Sequence, residues 1–275
     1  MKDIIIAIIF GIIQGVTEWL PISSTGHMIL ADQFLQLSTS TEFKEMFFVV
    51  IQLASIMAII ILFWKKIFPF KFKGEFIDKS TFILWSKILI ACIPAGVLGV
   101  LFNDWLDEKL YNFVIVSLML ILYGLFFIDV ENFNRMRTPR VNELNEIAYK
   151  DALIIGLFQV LALVPGTSRS GATIVGSLLI GIARSVAAEF SFFLAIPVMM
   201  GASLLKILKF GFHFTSTELI VLGTGCLVSF AVSLLVVRFI MNFVKSRDFK
   251  PFGIYRIVLG AIVLLYFTIS FFGSL

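Results

Sequence analysis

Charge is scarce in this 275-residue chain: Lys, Arg, Asp and Glu make up 15% of it, against 59% hydrophobic residues that include 31 phenylalanines. Soluble domains carry about 25% charged residues. With a mean hydropathy of +1.02, no soluble fold could hide this much apolar surface, so the chain reads as a polytopic membrane protein. Cysteine is nearly missing. Cys92 and Cys226 sit inside apolar runs without ligand-like spacing, which excludes a disulfide framework and a zinc site. No separate soluble domain is visible. The net charge of +4 is read first as a topology signal, and no nucleic-acid partner is expected. Lys2 and the apolar run after it imitate a secretory signal. No small-residue cleavage site follows, however, and cleavage would discard Gln14–His27, so the run is read as mature sequence.

A helix crossing the hydrocarbon core takes about 20 mostly apolar residues. Six stretches qualify: Met46–Trp64, Phe82–Phe102, Tyr111–Val130, Val186–Leu208, Leu219–Val244 and Phe252–Phe272. The other apolar stretches come in pairs, Ile4–Leu20 with Thr25–Leu37 and Ala152–Val164 with Gly171–Ile182, most of them too short to span. Loop charge tests this division, because Lys and Arg accumulate in cytoplasmic loops. Alternate loops hold Lys65, Lys66, Lys71, Lys73 and Lys79; Arg135, Arg137, Arg140 and Lys150; and Lys245, Arg247 and Lys250. The opposite loops hold only Lys44 and Lys109. With Lys206 and Lys209 counted against the pattern, the bias is still twelve to four.

The three basic loops share a side only if 151–182 crosses the membrane an even number of times. Two full spans would satisfy that count, and so would a re-entrant hairpin, which the lengths favour. The expected fold is therefore an all-α polytopic membrane protein with six transmembrane helices and two re-entrant helix hairpins. The hairpin Ile4–Leu37 enters from outside and Asp151–Ile182 from the cytoplasm, so that their tips meet inside the bilayer. Irregular backbone survives at that depth only where it is buried in protein or lines a watery cavity, as in inverted-repeat proteins. The chain reads as one domain, 1–275. A first repeat of about 1–130 and a second of about 151–275 flank a cytoplasmic linker of about 131–150.

Polar chemistry concentrates in Gly11–His27, G-I-I-Q-G-V-T-E-W-L-P-I-S-S-T-G-H, and returns 145 residues later. The offset sets Gly11 on Gly156, Gln14 on Gln159, Ser23 on Ser168, Thr25 on Ser170 and Gly26 on Gly171. The second copy supplies an Arg where the first supplies a Glu and a His, so the two are complementary and together would make one site. Gln14 and Glu18, four apart, share a helix face that Pro21 ends. Ser23, Ser24 and Thr25 offer hydroxyls at a helix start, with His27 three residues beyond Ser24 on the same face. A purely structural account has Ser23 or Ser24 capping a helix, Glu18 snorkelling and His27 bonding a carbonyl. Against it, an ionisable group at membrane depth costs about 2.5–3.5 kcal/mol on insertion scales, and Glu18, His27 and Arg169 all fall at hairpin tips.

The second break, Pro165–Thr173, has the parts of an anion site. Pro165-Gly166 stops one helix, Thr167 or Ser168 caps the next, and first-turn amides face outward beside Arg169, Ser170, Gly171 and Thr173. The planar fork of Arg169 can grip two phosphate oxygens at once. His213 reads as a solvated loop residue. Glu189 reads either as a site residue or as a helix-end anchor near Arg184. A transporter or lipid flippase is the competing class, since broken helices at mid-membrane are also a transporter architecture.

Together the two breaks resemble those of the undecaprenyl-diphosphatase family, bacterial membrane enzymes associated with bacitracin resistance. The motif Q-G-V-T-E-W-L-P-I-S-S-T-G-H spans Gln14–His27, and P-G-T-S-R-S-G-A-T spans Pro165–Thr173. The patterns E-F-S-F-x-L-A-x-P at Glu189–Pro197 and P-F-x-I-Y-R at Pro251–Arg256 also recur. Gln14 stands where many relatives carry Glu, which points to orientation or binding there rather than proton transfer. The resemblance implies release of the terminal phosphate of undecaprenyl diphosphate, yielding the monophosphate carrier lipid that is recycled for peptidoglycan. It also implies a Mg²⁺ or Ca²⁺ cofactor and a multi-pass protein of the bacterial plasma (inner) membrane, with its site opening outward. Membrane lipids are the surroundings, and a homodimer is an admissible assembly. On this reading Arg169 and the amides after Pro165 hold the diphosphate, with Gln14, Ser23, Thr25, Gly166, Thr167, Ser168, Ser170, Gly171 and Thr173 lining the substrate. Ser24 is the preferred nucleophile and His27 or Glu18 its base. Attack by His27, or by water that it activates, stays open, as does a metal-ligand role for Glu18.

Overall fold

Each of the six predicted spans folds as a helix, and four of the helices outrun the apolar stretch at both ends. The computed structural model describes residues 1–70, 78–110, 112–211 and 213–273; Lys71, Lys73 and Tyr111, used above for a basic loop and the start of a span, lie outside the described residues. In chain order the helices are α1 (Lys2–Thr17), α2 (Ser24–Phe34), α3 (Thr41–Leu62), α4 (Trp64–Ile67), α5 (Lys79–Leu110), α6 (Phe113–Asn134), α7 (Tyr149–Val160), α8 (Arg169–Leu179), α9 (Arg184–Phe210), α10 (Ser216–Ser246) and α11 (Lys250–Gly273). Two 3-10 turns, Leu144–Glu146 and Leu161–Leu163, precede α7 and follow it. An isolated parallel bridge pairs Val141 with Ile182.

Six helices are long and apolar enough to cross a membrane: Thr41–Leu62, Lys79–Phe102, Phe113–Asn134, Arg184–Phe210, Ser216–Ser246 and Lys250–Ile269. The shortest has 20 residues, about 30 Å at 1.5 Å per residue. By contrast α2, α7 and α8 have 11, 12 and 11 residues and reach only about 16–18 Å. Helices α3 and α10 start earlier than predicted because polar caps, not apolar runs, decide where they begin. Phe43 N donates to Ser40 Oγ at 3.1 Å, opening α3 at Thr41, five residues ahead of Met46. Asn112 Oδ1 accepts from Ile115 N at 3.0 Å to open α6. Thr215 and Glu218 cap α10 reciprocally.

The two halves of the chain interlock. The main contacts pair α6 with α11, α1 and α3 with α10, α5 with α7, and α3 with α9, and one apolar cluster joins Trp19 and Ile56 to Phe190 and Phe193. Small residues permit the closest approach. A Cβ on Gly124 of α6 would lie 2.6 Å from the carbonyl oxygen of Gly253 on α11. Beyond α6, Arg184 grips the buried Glu131 carboxylate, its Nε 2.9 Å from each oxygen, while Phe249 N donates to the same group at 3.0 Å. Arg184 is thus committed to Glu131. Glu189 accepts from Lys66 Nζ at 2.6 Å, which ties the start of α9 to α4 and matches the reading of Glu189 as a helix-end anchor.

Candidate active site

Both breaks fold the same way. Helix α1 runs to Thr17, with Glu18 as its still-helical cap, and Pro21, lacking an N–H, prevents continuation. Ser23 then takes φ 72° and Ser168, at the matching place in the second copy, φ 71°; among the described residues these are the only non-glycines at positive φ. Such a conformation costs on the order of 1–3 kcal/mol and persists only where its surroundings impose it. Each serine caps the following helix: Ser23 Oγ accepts from Gly26 N at 3.3 Å and Ser168 Oγ from Gly171 N at 3.1 Å. The left-handed turn before Ser168 falls on Gly166 (φ 91°), where a Cβ would strike the Val116 backbone at 2.6 Å. Capping therefore belongs to Ser23, and Ser24 is left free for other work.

Ser24 spends that freedom on Glu18, its Oγ donating to Oε2 at 2.7 Å. Gln14 Nε2 donates to the same oxygen at 2.9 Å, as the four-residue spacing requires. The other carboxylate oxygen accepts from Arg169 Nη2 at 2.9 Å, across 151 residues of sequence. The pair is buried, with 4% of the Glu18 side chain and 10% of the Arg169 side chain exposed, so solvent screens it little. Arg169 Nη1 donates to the Ser191 carbonyl at 2.7 Å. Thr173 Oγ1 bonds Ser191 Oγ at 2.7 Å, fastening the second turn of α8 to α9. The structure thus brings Gln14, Glu18, Ser24 and Arg169 into direct contact.

His27 goes elsewhere. Its Nδ1 lies 2.7 Å from the Ser23 carbonyl and its Nε2 2.7 Å from the Tyr255 hydroxyl, and no hydrogen bond joins it to Ser24 or Glu18. Ser170 Oγ bonds Ser168 Oγ at 3.2 Å. Thr25, half-buried, flanks Ser24 at the start of α2. Sequence reasoning missed two contributors on α11, Tyr255 and Arg256. The fully buried Arg256 donates to the carbonyls of Pro21 (3.1 Å), Gly166 (2.9 Å) and Thr167 (2.9 Å). An ionisable residue inside an apolar span was the signal available.

Comparison with known proteins places the chain in a family. The family model described as bacitracin resistance protein BacA matches residues 7–262, a stretch that contains both breaks and Arg256. The chain belongs to the BacA family. It is similar to proteins named undecaprenyl-diphosphatase from Enterococcus faecalis (57% identical over 266 residues, 96% of each chain) and from Acetivibrio thermocellus (57% over 268 residues, 97% of this chain and 98% of that one). A third, from Desulfitobacterium hafniense, is 56% identical over 270 residues, 98% of this chain and 97% of that one.

In this BacA-family chain several polar atoms at the breaks are buried without a partner: Gln14 Oε1, Thr167 Oγ1 and Arg169 Nε. The first-turn amides of Ser24, Thr25, Arg169 and Ser170 are likewise unpaired among the described residues. Buried polar side chains nearly always find a partner, so Gln14 Oε1, Thr167 Oγ1 and Arg169 Nε mark the place where a polar ligand fits, beside amides left open as at any helix start. A resident divalent cation does not fit. Mg²⁺ and Ca²⁺ need free oxygen ligands, whereas both oxygens of Glu18 are engaged, and no cluster of three His, Cys, Asp or Glu converges among the described residues. A cavity of about 570 Å³ between α5, α9 and the linker, lined by Lys65, Lys66, Lys87, Glu143 and Glu189, contains none of the predicted site residues. His213 is exposed, as expected of a loop residue.

Proposed function

We propose that this chain hydrolyses undecaprenyl diphosphate to undecaprenyl phosphate and inorganic phosphate at the junction of the two breaks, supporting bacitracin resistance and envelope synthesis. The observation that carries the reading is the hydrogen-bonded set Ser24–Glu18–Arg169, flanked by the open starts of α2 and α8. The terminal phosphoryl group sits over those two helix starts, where unpaired amides and the remaining Arg169 N–H groups offset its charge. Ser24 Oγ attacks the terminal phosphorus and passes its proton to Glu18 Oε2 along the existing 2.7 Å bond. The bond from phosphorus to the bridging oxygen breaks. Its electron pair leaves with undecaprenyl phosphate, whose bridging oxygen takes the proton from Glu18. Water then attacks the phosphoserine, giving a proton to Glu18, which passes it to Ser24 Oγ as the Oγ–P bond breaks. Gln14 orients the base, and His27 holds the start of α2.

The short pairs α1–α2 and α7–α8 are, in this reading, re-entrant hairpins related as an inverted repeat. They lie in the plasma (inner) membrane of a bacterium, with the site open to the outer face. Their lengths, the matching serine geometry and the loop-charge bias support it. A divalent cation would be held by the diphosphate oxygens rather than by this chain's side chains, and would offset their charge. The test is phosphate release from undecaprenyl diphosphate by purified protein in detergent, where no membrane separates two sides. Absence of release in detergent, together with lipid movement in sealed vesicles, would transfer the site to the transporter class.

A further inference from the structure

We propose that Tyr255 and Arg256, adjacent on α11, are positioning residues that hold the two breaks in register and keep their amides open for phosphate. The proposal rests on the hydrolase reading above for its kinetic consequences, but not for its structural ones.

Interrupting a helix strands carbonyls as well as amides. In a continuous helix Pro21 O would accept from Thr25 N, Gly166 O from Ser170 N and Thr167 O from Gly171 N. Arg256 takes all three carbonyls: Nη1 donates to Pro21 O at 3.1 Å, and Nη2 to Gly166 O and Thr167 O at 2.9 Å each. Nη2 also approaches Met119 O of α6 at 3.3 Å. The amides of Thr25 and Ser170 stay unpaired, one at each break, while Gly171 N is held by Ser168 Oγ. One guanidinium thus joins segments of the chain separated by some 145 residues, from a side chain with 0% exposure. Among the described residues no carboxylate pairs with it, and its other neighbour is the Tyr123 ring, 5.6 Å away. A buried cation without a counter-ion is costly, and stranded carbonyls of two breaks are what it satisfies here. A lysine has three donors on a single point and no fork, so it cannot serve all of these carbonyls together.

Tyr255 acts on the first break alone. The Ser23 carbonyl can only accept, so His27 Nδ1 carries the proton, and in the neutral ring Nε2 accepts from the Tyr255 hydroxyl at 2.7 Å. The two rings lie parallel, 4° apart in tilt. Through His27, Tyr255 therefore braces Ser23 in its left-handed conformation, and with it the approach of Ser24 to Glu18.

The test uses the full-length protein in detergent with Arg256→Met, Arg256→Lys and Tyr255→Phe, reading hydrogen exchange by mass spectrometry beside steady-state phosphate release. Arg256→Met is expected to speed exchange in both breaks, residues 18–28 and 163–173, and to lower kcat about 100-fold, the scale of an ångström-sized misplacement, with KM changed less than about 3-fold. Arg256→Lys falls between it and wild type. Tyr255→Phe speeds exchange at the first break only and lowers kcat about 2- to 10-fold, the worth of one hydrogen bond. Faster exchange in one break only, or confined to α6 and α11 as for a packing residue, would overturn the clamp, as would a kcat within about 3-fold of wild type in Arg256→Met. If Arg256→Met does not fold, Arg256→Lys is judged by the same two criteria. Failure of the wild type to release phosphate refutes the hydrolase reading, and the clamp is then decided by the exchange data alone.

Discussion

Replacing Glu18 by Gln keeps the side chain's size and removes only its charge and basicity, so it separates the two jobs the structure gives this residue. As a base, Glu18 takes the Ser24 proton over 2.7 Å, and general bases contribute about 10²- to 10⁴-fold. That corresponds to about 2.7–5.4 kcal/mol of barrier at 1.36 kcal/mol per tenfold. As an ion-pair partner, it neutralises an Arg169 side chain that is only 10% exposed, and breaking a buried pair costs about 3–5 kcal/mol. The amide adds a local conflict: Gln14 Nε2 and Ser24 Oγ both donate to Oε2, so an NH₂ there sets donors against a donor. Glu18→Gln should therefore lower kcat by at least about 100-fold and lower thermal stability in detergent. Its ground-state binding should move the other way. With Arg169 released, inorganic phosphate can supply the missing negative charge, so added phosphate should restore melting temperature more in the variant than in wild type. Phosphate release in detergent and thermal unfolding with and without phosphate are the assays. A kcat within about threefold of wild type would refute the assignment of Glu18 as the base.

Ser24→Ala combined with Glu18→Gln should cost little more than either change alone, because the two act as a unit, whereas Ser24→Ala with His27→Ala should combine nearly additively; a phosphohistidine at position 27 in a single-turnover trap would overturn Ser24. Arg169→Lys should lose up to about 10³-fold in kcat/KM, by analogy with arginine fingers, since a single ammonium cannot serve Ser191 O, Glu18 and phosphate together; activity within a few-fold would leave Arg169 supplying charge only. In a background lacking Cys92 and Cys226, cysteines introduced at 137 and 247 should resist an impermeant reagent in whole cells while one at 214 reacts; strong labelling at 137 would sink the hairpin arrangement. Purified protein should carry no stoichiometric divalent metal by elemental analysis, with any cation dependence following the substrate concentration; a tightly held ion would contradict the engagement of both Glu18 oxygens.

Much of the fold was legible because membrane insertion is a coarse selection on composition. Runs of about 20 apolar residues announce the helices. Element ends were less legible: Ser40 and Thr215 open their helices outside the apolar runs, and Asn112 opens α6 inside one. The site was legible as far as the repeated motif carried it, and Gln14, Glu18, Ser24 and Arg169 do meet. His27 marks the limit. Three residues from Ser24 it was a fair choice of base, but its ring is held by Ser23 and Tyr255, and the Ser24 hydroxyl by Glu18.

What the sequence by itself determined was local: which segments are apolar, where Pro21 and Pro165-Gly166 must interrupt a helix, and which polar groups gather at those interruptions. Spacing along a helix reports on neighbours three or four residues away, so it could pair Gln14 with Glu18. It could not choose between Ser23 and Ser24 as cap, because that choice lies in a positive φ that no serine prefers by itself. Only the tertiary structure imposed it, by packing the breaks against α6 and α11. The same holds for Arg256, whose partners are backbone carbonyls up to 235 residues away. Carbonyls are common to every residue type and leave no mark in the sequence, so a contact made to them is decided solely by where the chain has folded.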